Sequence, residues 1–115
     1  MHLLQYQQVP LEIIWIQGGD DIISGGAGDD IMIGGYGEDS FVYDDLFDDG
    51  DLDRILDFNT DDDQLVAQDG VLLTDGGLNI DGDLLINVSN AAVTDFSTII
   101  LQGIADFAAV DIVVA

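Results

Sequence analysis

The sequence predicts an all-β protein, a short stack of strand-and-turn repeats capped by a C-terminal antiparallel β sheet or sandwich. Three observations predict it. A nine-residue pattern is written three times without a gap between Ile16 and Val42, and short apolar segments broken by turns fill the chain from Leu65 onward. The third is composition: 48% of the 115 residues are hydrophobic, enough for one small domain with a modest core. A domain of this size buries roughly 65% of its extended surface on folding.

The repeat reads G-G-x-G-x-D-x-U-x, with U a large apolar residue. Gly25 to Ile33 (GGAGDDIMI) and Gly34 to Val42 (GGYGEDSFV) match at every fixed place. Ile16 to Ser24 (IQGGDDIIS) lacks the leading glycine pair and keeps the rest. In register this gives Gly19, Gly28 and Gly37 at place four, Asp21, Asp30 and Asp39 at place six, and Ile23, Met32 and Phe41 at place eight. Fixed chemistry at a fixed period marks a stacked repeat.

The glycines let the chain turn tightly and aim carbonyl oxygens inward. The aspartate adds a carboxylate, and a cage of hard, partly charged oxygens suits calcium better than softer transition metals. The apolar residue at place eight, flanked by outward neighbours, reads as a three-residue strand with one buried side chain. Turn and strand alternate, so the chain winds as a flattened helix of strands.

These nonapeptides resemble the calcium-binding repeats of the RTX (repeats-in-toxin) family. The resemblance implies a parallel β-roll with two nonapeptides per turn and calcium held between loops on the same edge. The loop at Gly18, Gly19 and Asp21 then shares an ion with the loop at Gly35, Gly37 and Asp39. The middle loop, with Gly26, Gly28 and Asp30, takes its partner from the next register, where Asp48 falls at place six of Tyr43 to Asp51 without the glycines. Running backwards, Gln7 to Trp15 has Glu12 at place six and Ile14 at place eight, an opening half-turn. Residues 1–15 read as a lead-in, 16–48 as the roll and 49–115 as the cap.

Asp53-Arg54-Ile55-Leu56-Asp57-Phe58, followed by Asp61 to Leu65, is similar to the element that closes RTX rolls in secreted metalloproteases and alginate epimerase modules. That resemblance implies a last calcium at Asp53 and Asp57, with Ile55 and Phe58 plugging the open end. Asp57 reads equally well as a solvated acid on one strand face. The acidic run Asp44 to Asp53 reads otherwise as a solvated loop. Its Asp49-Gly50-Asp51-Leu52-Asp53 is no EF-hand, because Arg54 stands where glycine is required and the closing glutamate is missing.

Beyond the closing element, strands are expected at Gln64 to Ala67, Val71 to Leu73, Gly77 to Ile80, Asp83 to Ser89, Ser97 to Gln102 and Asp111 to Ala115. Asp81-Gly82 is the best hairpin turn, with Leu78 and Ile80 alternating against Leu84, Ile86 and Val88. Ala105 to Val110 can make one helical turn. The resulting sheet is expected to stack coaxially on the roll. Met1 to Gln8 carries no motif, and Pro10 bars a helix there.

Composition also bounds function. The net charge is −23 with Arg54 the single basic residue, and all acids except Glu12 and Glu38 are aspartate. Such charge belongs to disordered chains while the hydrophobic content belongs to folding ones. A bound cation reconciles them, so the chain is expected to be largely unfolded without metal. Acidity argues against nucleic acid and anionic membrane surfaces. There is no cysteine for a disulfide or thiolate site. The N-terminus lacks a basic region before an apolar one, and no apolar run reaches membrane-span length.

With His2 near a terminus, no cysteine and no lysine, general acid–base chemistry has only carboxylate pairs to draw on. No catalytic residue is expected, and no enzyme activity. The family resemblance implies a secreted, extracellular calcium-binding module that folds on export and stabilises a larger protein whose N-terminal domain precedes it. The tail Asp111-Ile112-Val113-Val114-Ala115 reads structurally as an edge strand. By resemblance it is the C-terminal signal read by type I secretion machinery. The alternative is a calcium-dependent carbohydrate-binding module. The polysaccharide modules of this type use basic residues, and this chain has only Arg54.

Overall fold

The computed structural model describes residues 2–4, 11–15, 19–23, 29–44, 50–90 and 95–114, the first two segments as backbone. Its strands are β1 (His2–Leu4), β2 (Leu11–Trp15), β3 (Asp21–Ile23), β4 (Asp29–Ile33), β5 (Ser40–Tyr43) and β6 (Leu52–Ile55). They continue as β7 (Gln64–Ala67), β8 (Leu72–Leu78), β9 (Leu84–Ser89), β10 (Phe96–Leu101) and β11 (Asp111–Val114). Consecutive strands from β1 to β7 alternate between two sheets. One sheet runs β1-β3-β5-β7-β11 and the other β2-β4-β6-β10-β9-β8.

Pairing is parallel throughout the first sheet and from β2 to β10 in the second, and antiparallel from β10 through β9 to β8. The chain is therefore all-β, a flattened helix of strands closed by a short antiparallel section. The parallel pairing also runs past the nonapeptides. β10 adds to β6 and β11 to β7, so the C-terminal strands extend the same two sheets rather than forming a separate sheet stacked on them.

Register aligns like phases. Leu4, Ile23, Phe41, Leu65 and Ile112 lie level across the first sheet. Ile14, Met32, Ile55 and Leu101 lie level across the second. Among them Ile23, Met32, Phe41, Ile55, Leu65 and Leu101 are fully buried, so place eight faces the interior as its periodicity predicts. Each such side chain contributes about 1.5–3 kcal/mol by leaving water. Phe58 is buried too, its ring 6.0 Å from that of Phe41, which puts Ile55 and Phe58 in the core where the closing element was expected to plug it.

Three local expectations change. His2–Leu4, read as motif-free, pairs with β3. The two segments expected at 71–73 and 77–80 are one strand, β8, with a bulge between Asp75 and Leu78. The β8–β9 turn begins at Asn79, whose side-chain oxygen accepts from the backbone N–H of Asp81 at 3.0 Å and of Asp83 at 2.9 Å. Ile80 therefore sits in the turn, fully exposed, while Leu84, Ile86 and Val88 are buried as expected. Asp106 caps a single 3-10 turn, Phe107–Ala109, within the stretch expected to turn once.

Candidate cation site

Each place-six aspartate stands within one residue of the start of a strand and faces the interior. Asp21, Asp30 and Asp39 are buried, and so are Asp53 and Asp63. The carboxylates of Asp39, Asp53 and Asp63 receive backbone N–H groups from the neighbouring turn. Asp39 Oδ1 accepts from Asp21 N at 3.1 Å, and Asp63 Oδ1 accepts from Asp39 N at 3.0 Å. In the second sheet Asp53 Oδ1 accepts from Asp30 N at 3.0 Å. Asp57 uses both oxygens, taking Gly34 N at 3.0 Å and Gly35 N at 2.8 Å. Two files of carboxylates thus climb the roll, one along each sheet.

The loops stack as two-per-turn winding requires. Glu38 N donates to Asp20 Oδ1 at 2.9 Å, which ties the Gly35–Asp39 loop to the Gly19–Asp21 loop. Gly37 has φ +103°, and a Cβ there would collide with the carbonyl oxygen of Gly19. That carbonyl therefore faces directly into the next loop. Gly34 is required for a different reason: a Cβ on it would lie 2.5 Å from Asp39 Oδ2.

Burial makes Asp39, Asp53 and Asp63 poor acids. Asp39 is pushed from 3.8 to about 7, first by burial and then by the charges of Asp63 and Asp21, against the pull of its Asp21 N–H bond. Asp53 is likewise pushed to about 7, by burial and the charges of Asp51 and Asp29, while the Asp30 N–H acts the other way. Asp63 is raised by burial, which outweighs its bonds from Asn59 and Asp39. A nearby positive charge would reverse the direction of all three.

The donor set fits a hard cation. Asp39 Oδ2 is buried with no hydrogen-bond partner among the described residues, an oxygen with lone pairs to give. The Gly19 carbonyl and the surrounding carboxylates are oxygen donors, and cysteine is absent. Among the described residues no three acidic side chains group as a metal site, and main-chain carbonyls such as that of Gly19 are the other oxygen donors at hand.

Of the residues singled out from sequence, Gly19, Asp21, Gly35, Gly37 and Asp39 come together in one stacked pair of loops. Asp30 meets Asp53, which takes the level expected for Asp48. Asp57 reaches the Gly34–Gly35 turn rather than Asp53's level. Gly18, Gly26, Gly28 and Asp48 lie outside the described residues. Sequence reasoning missed Asp63, which completes the file above Asp39. Its signal was present, since Asp63-Gln64-Leu65 repeats the D-x-U of places six to eight.

No family model matches the chain, and no curated protein matches it. Among solved structures it is similar to the solution structure of the AlgE6R3 subunit from the Azotobacter vinelandii mannuronan C5-epimerase. The identity is 23%, the match covers 97% of this chain and 77% of that one, and the TM-score is 0.36. A likeness at that level carries no argument about function, which has to rest on this chain's own residues.

Proposed function

We propose that this chain is a calcium-binding module whose roll orders when the cation binds, serving as the extracellular part of a larger protein exported by a type I route. The observation that carries the reading is Asp39. It is buried between Asp21 and Asp63, its Oδ2 has no hydrogen-bond partner among the described residues, and the Gly19 carbonyl faces the loop that precedes it. Gly18, Gly19, Asp21, Gly35, Gly37 and Asp39 would hold one ion. Gly26, Gly28, Asp30 and Asp53 would hold a second, with Asp57 fixing the Gly34–Gly35 turn between them. Bound calcium supplies the positive charge that lets these buried carboxylates stay ionised.

The residues themselves do the rest. Backbone N–H groups of one turn orient the carboxylates of the next, so the ligands converge only when the turns have stacked. Binding energy is then folding energy. Two carboxylates ~4 Å apart repel by about 4 kcal/mol at an effective dielectric near 20, which opposes stacking in the absence of a cation. Extracellular calcium modules bind at roughly 10⁻⁴–10⁻³ M, so the chain stays extended in a calcium-poor cytosol and orders outside. The C-terminal tail fits that timing: in the folded chain Asp111–Val114 is paired along β7, so an exporter would have to read it first. On this reading the ions are structural and the module has no catalytic role of its own.

Far-UV circular dichroism on chelator-treated protein tests this, titrated with calcium and with magnesium as control. The expected result is a spectrum poor in β structure that gains most of its β signal at high micromolar to millimolar calcium. Magnesium should fail, because it demands tighter octahedral geometry and keeps its water. A metal-free chain already fully β and indifferent to calcium would overturn coupled folding and leave glycan binding as the next function to assay.

A further inference from the structure

Tyr43 ends β5 with its side chain directed between the sheets. It belongs to the same core cluster as Phe41, Ile55, Leu65 and Ala67, is only 6% exposed, and its hydroxyl is buried with no hydrogen-bond partner among the described residues. Leaving a polar group unsatisfied inside a core is costly, and phenylalanine would fill the same space without that cost. The ring is explained by packing, but the hydroxyl is not.

What faces the hydroxyl accounts for it. Tyr43 packs in one cluster with Ile55, two residues beyond Asp53 on β6 of the opposite sheet, and burial followed by the carboxylates of Asp53 and Asp30 pushes its hydroxyl's pKa up. These two aspartates are already joined, because Asp53 Oδ1 takes the Asp30 N–H. A carboxylate has about four lone-pair sites, so Asp53 can accept a second donor and still face a cation.

We propose that Tyr43 is a positioning residue for the second-sheet cation site, its hydroxyl donating to ionised Asp53 and fixing the direction in which that carboxylate presents its remaining oxygen. The proposal rests on the calcium reading above. It gives the roll a contact between its two files: a residue at the end of a strand in the first sheet sets a ligand of the second. Strand β5 carries both Asp39's neighbouring loop and Tyr43, so ordering of the first file brings the hydroxyl to the second.

The test is a calcium titration of the whole chain, followed by circular dichroism, for the native protein and for Tyr43→Phe, Asp53→Asn and the double variant. A lost hydrogen bond to a charged group should move the calcium midpoint of Tyr43→Phe upward by about tenfold. The same change in the Asp53→Asn background should move it by less than about twofold, since the partner is already neutral. A tyrosine near-UV signal that changes on calcium addition should also be lost in Tyr43→Phe and kept in Tyr6→Phe and Tyr36→Phe. That signal decides the matter if Asp53→Asn does not fold.

A packing role alone predicts the reverse, an unchanged calcium midpoint and equal or greater stability without calcium once the hydroxyl is gone. That outcome, or an equal shift in both backgrounds, overturns the proposal while leaving calcium binding intact. A native protein that does not respond to calcium overturns both.

Discussion

Among the described residues the interior face of the roll between Asp21 and Tyr43 alternates carboxylates with apolar side chains, whereas between Leu84 and Leu101 it is apolar apart from Ser97. The first region pairs its turns through N–H bonds to buried aspartates. The second pairs Leu84, Ile86 and Val88 of β9 with the strand that carries Ile99 and Leu101. One region brings like charges together as it folds; the other removes only oil from water. The difference teaches that a chain with a net charge of −23 need not depend on a cation uniformly along its length. On the proposed reading the antiparallel end can fold by burial, and the repeat end is where a cation would be needed.

The largest change that would sharpen this comparison is a core truncation. Ile99→Ala and Leu101→Ala, both at fully buried positions, should each cost about 2–5 kcal/mol in saturating calcium. Urea unfolding measures it, and a loss below about 1 kcal/mol would mean that the antiparallel end is not held by its core.

Calcium removal comes next. At calcium a hundred times its dissociation constant the bound state gains about 2.7 kcal/mol. Chelation should therefore cost the amides of β3 to β5 about a hundredfold of their hydrogen-exchange protection, with a smaller loss in β9 and β10. Equal losses in both regions would break the comparison, because the cation would then support the whole molecule alike.

Gly37→Ala strikes the repeat end alone. Its φ of +103° and the Gly19 carbonyl both oppose a side chain, and strain of this kind costs about 1–3 kcal/mol. The variant should unfold earlier in urea and need more calcium to fold. Gly77→Ala makes a useful control: its φ is +82° but nothing lies near its missing Cβ, so it carries the backbone strain without the collision and should lose less.

The last prediction concerns pH. In the cation-free fold Asp39 and Asp53 ionise at about 7 rather than 3.8, and Asp63 is raised as well. Between those values the folded chain binds more protons than the unfolded one, so its stability falls as pH rises from about 4 to 7. In chelator the far-UV β signal should be stronger at pH 5 than at pH 8, because protonated carboxylates let the repeat end order without the cation. Calcium should remove that pH dependence by holding the carboxylates ionised. A cation-free β signal that grows with pH would show that these aspartates are not the ones burdening the fold.

Much of the site was legible before any coordinates. The phases of the nonapeptide put Asp21, Asp30 and Asp39 on the inside with Ile23, Met32 and Phe41, and all six are buried. What was not legible was pairing beyond the last full repeat. Asp39 stacks on Asp21 across 18 residues, two periods of nine, but Asp53 stacks on Asp30 across 23 and Asp63 on Asp39 across 24. Counting in nines therefore passed over Asp63, and Asp48, to which it also led, lies outside the described residues. Tyr43 was legible as a strand residue and not as a buried hydroxyl, because its neighbours across the interior come from the opposite sheet.

The sequence by itself determined the local alphabet of this protein: glycine where the chain must turn, aspartate where the turn meets the strand, an apolar side chain two residues later. These follow from backbone sterics and a period of two within strands, which act over a few residues. Only the tertiary structure decided which turn lies on which, and that β10 and β11 prolong the two sheets that the repeats begin. Strand register is set where one face is buried and hydrogen bonds must be satisfied. Connecting segments of unequal length leave no trace of that choice in the spacing.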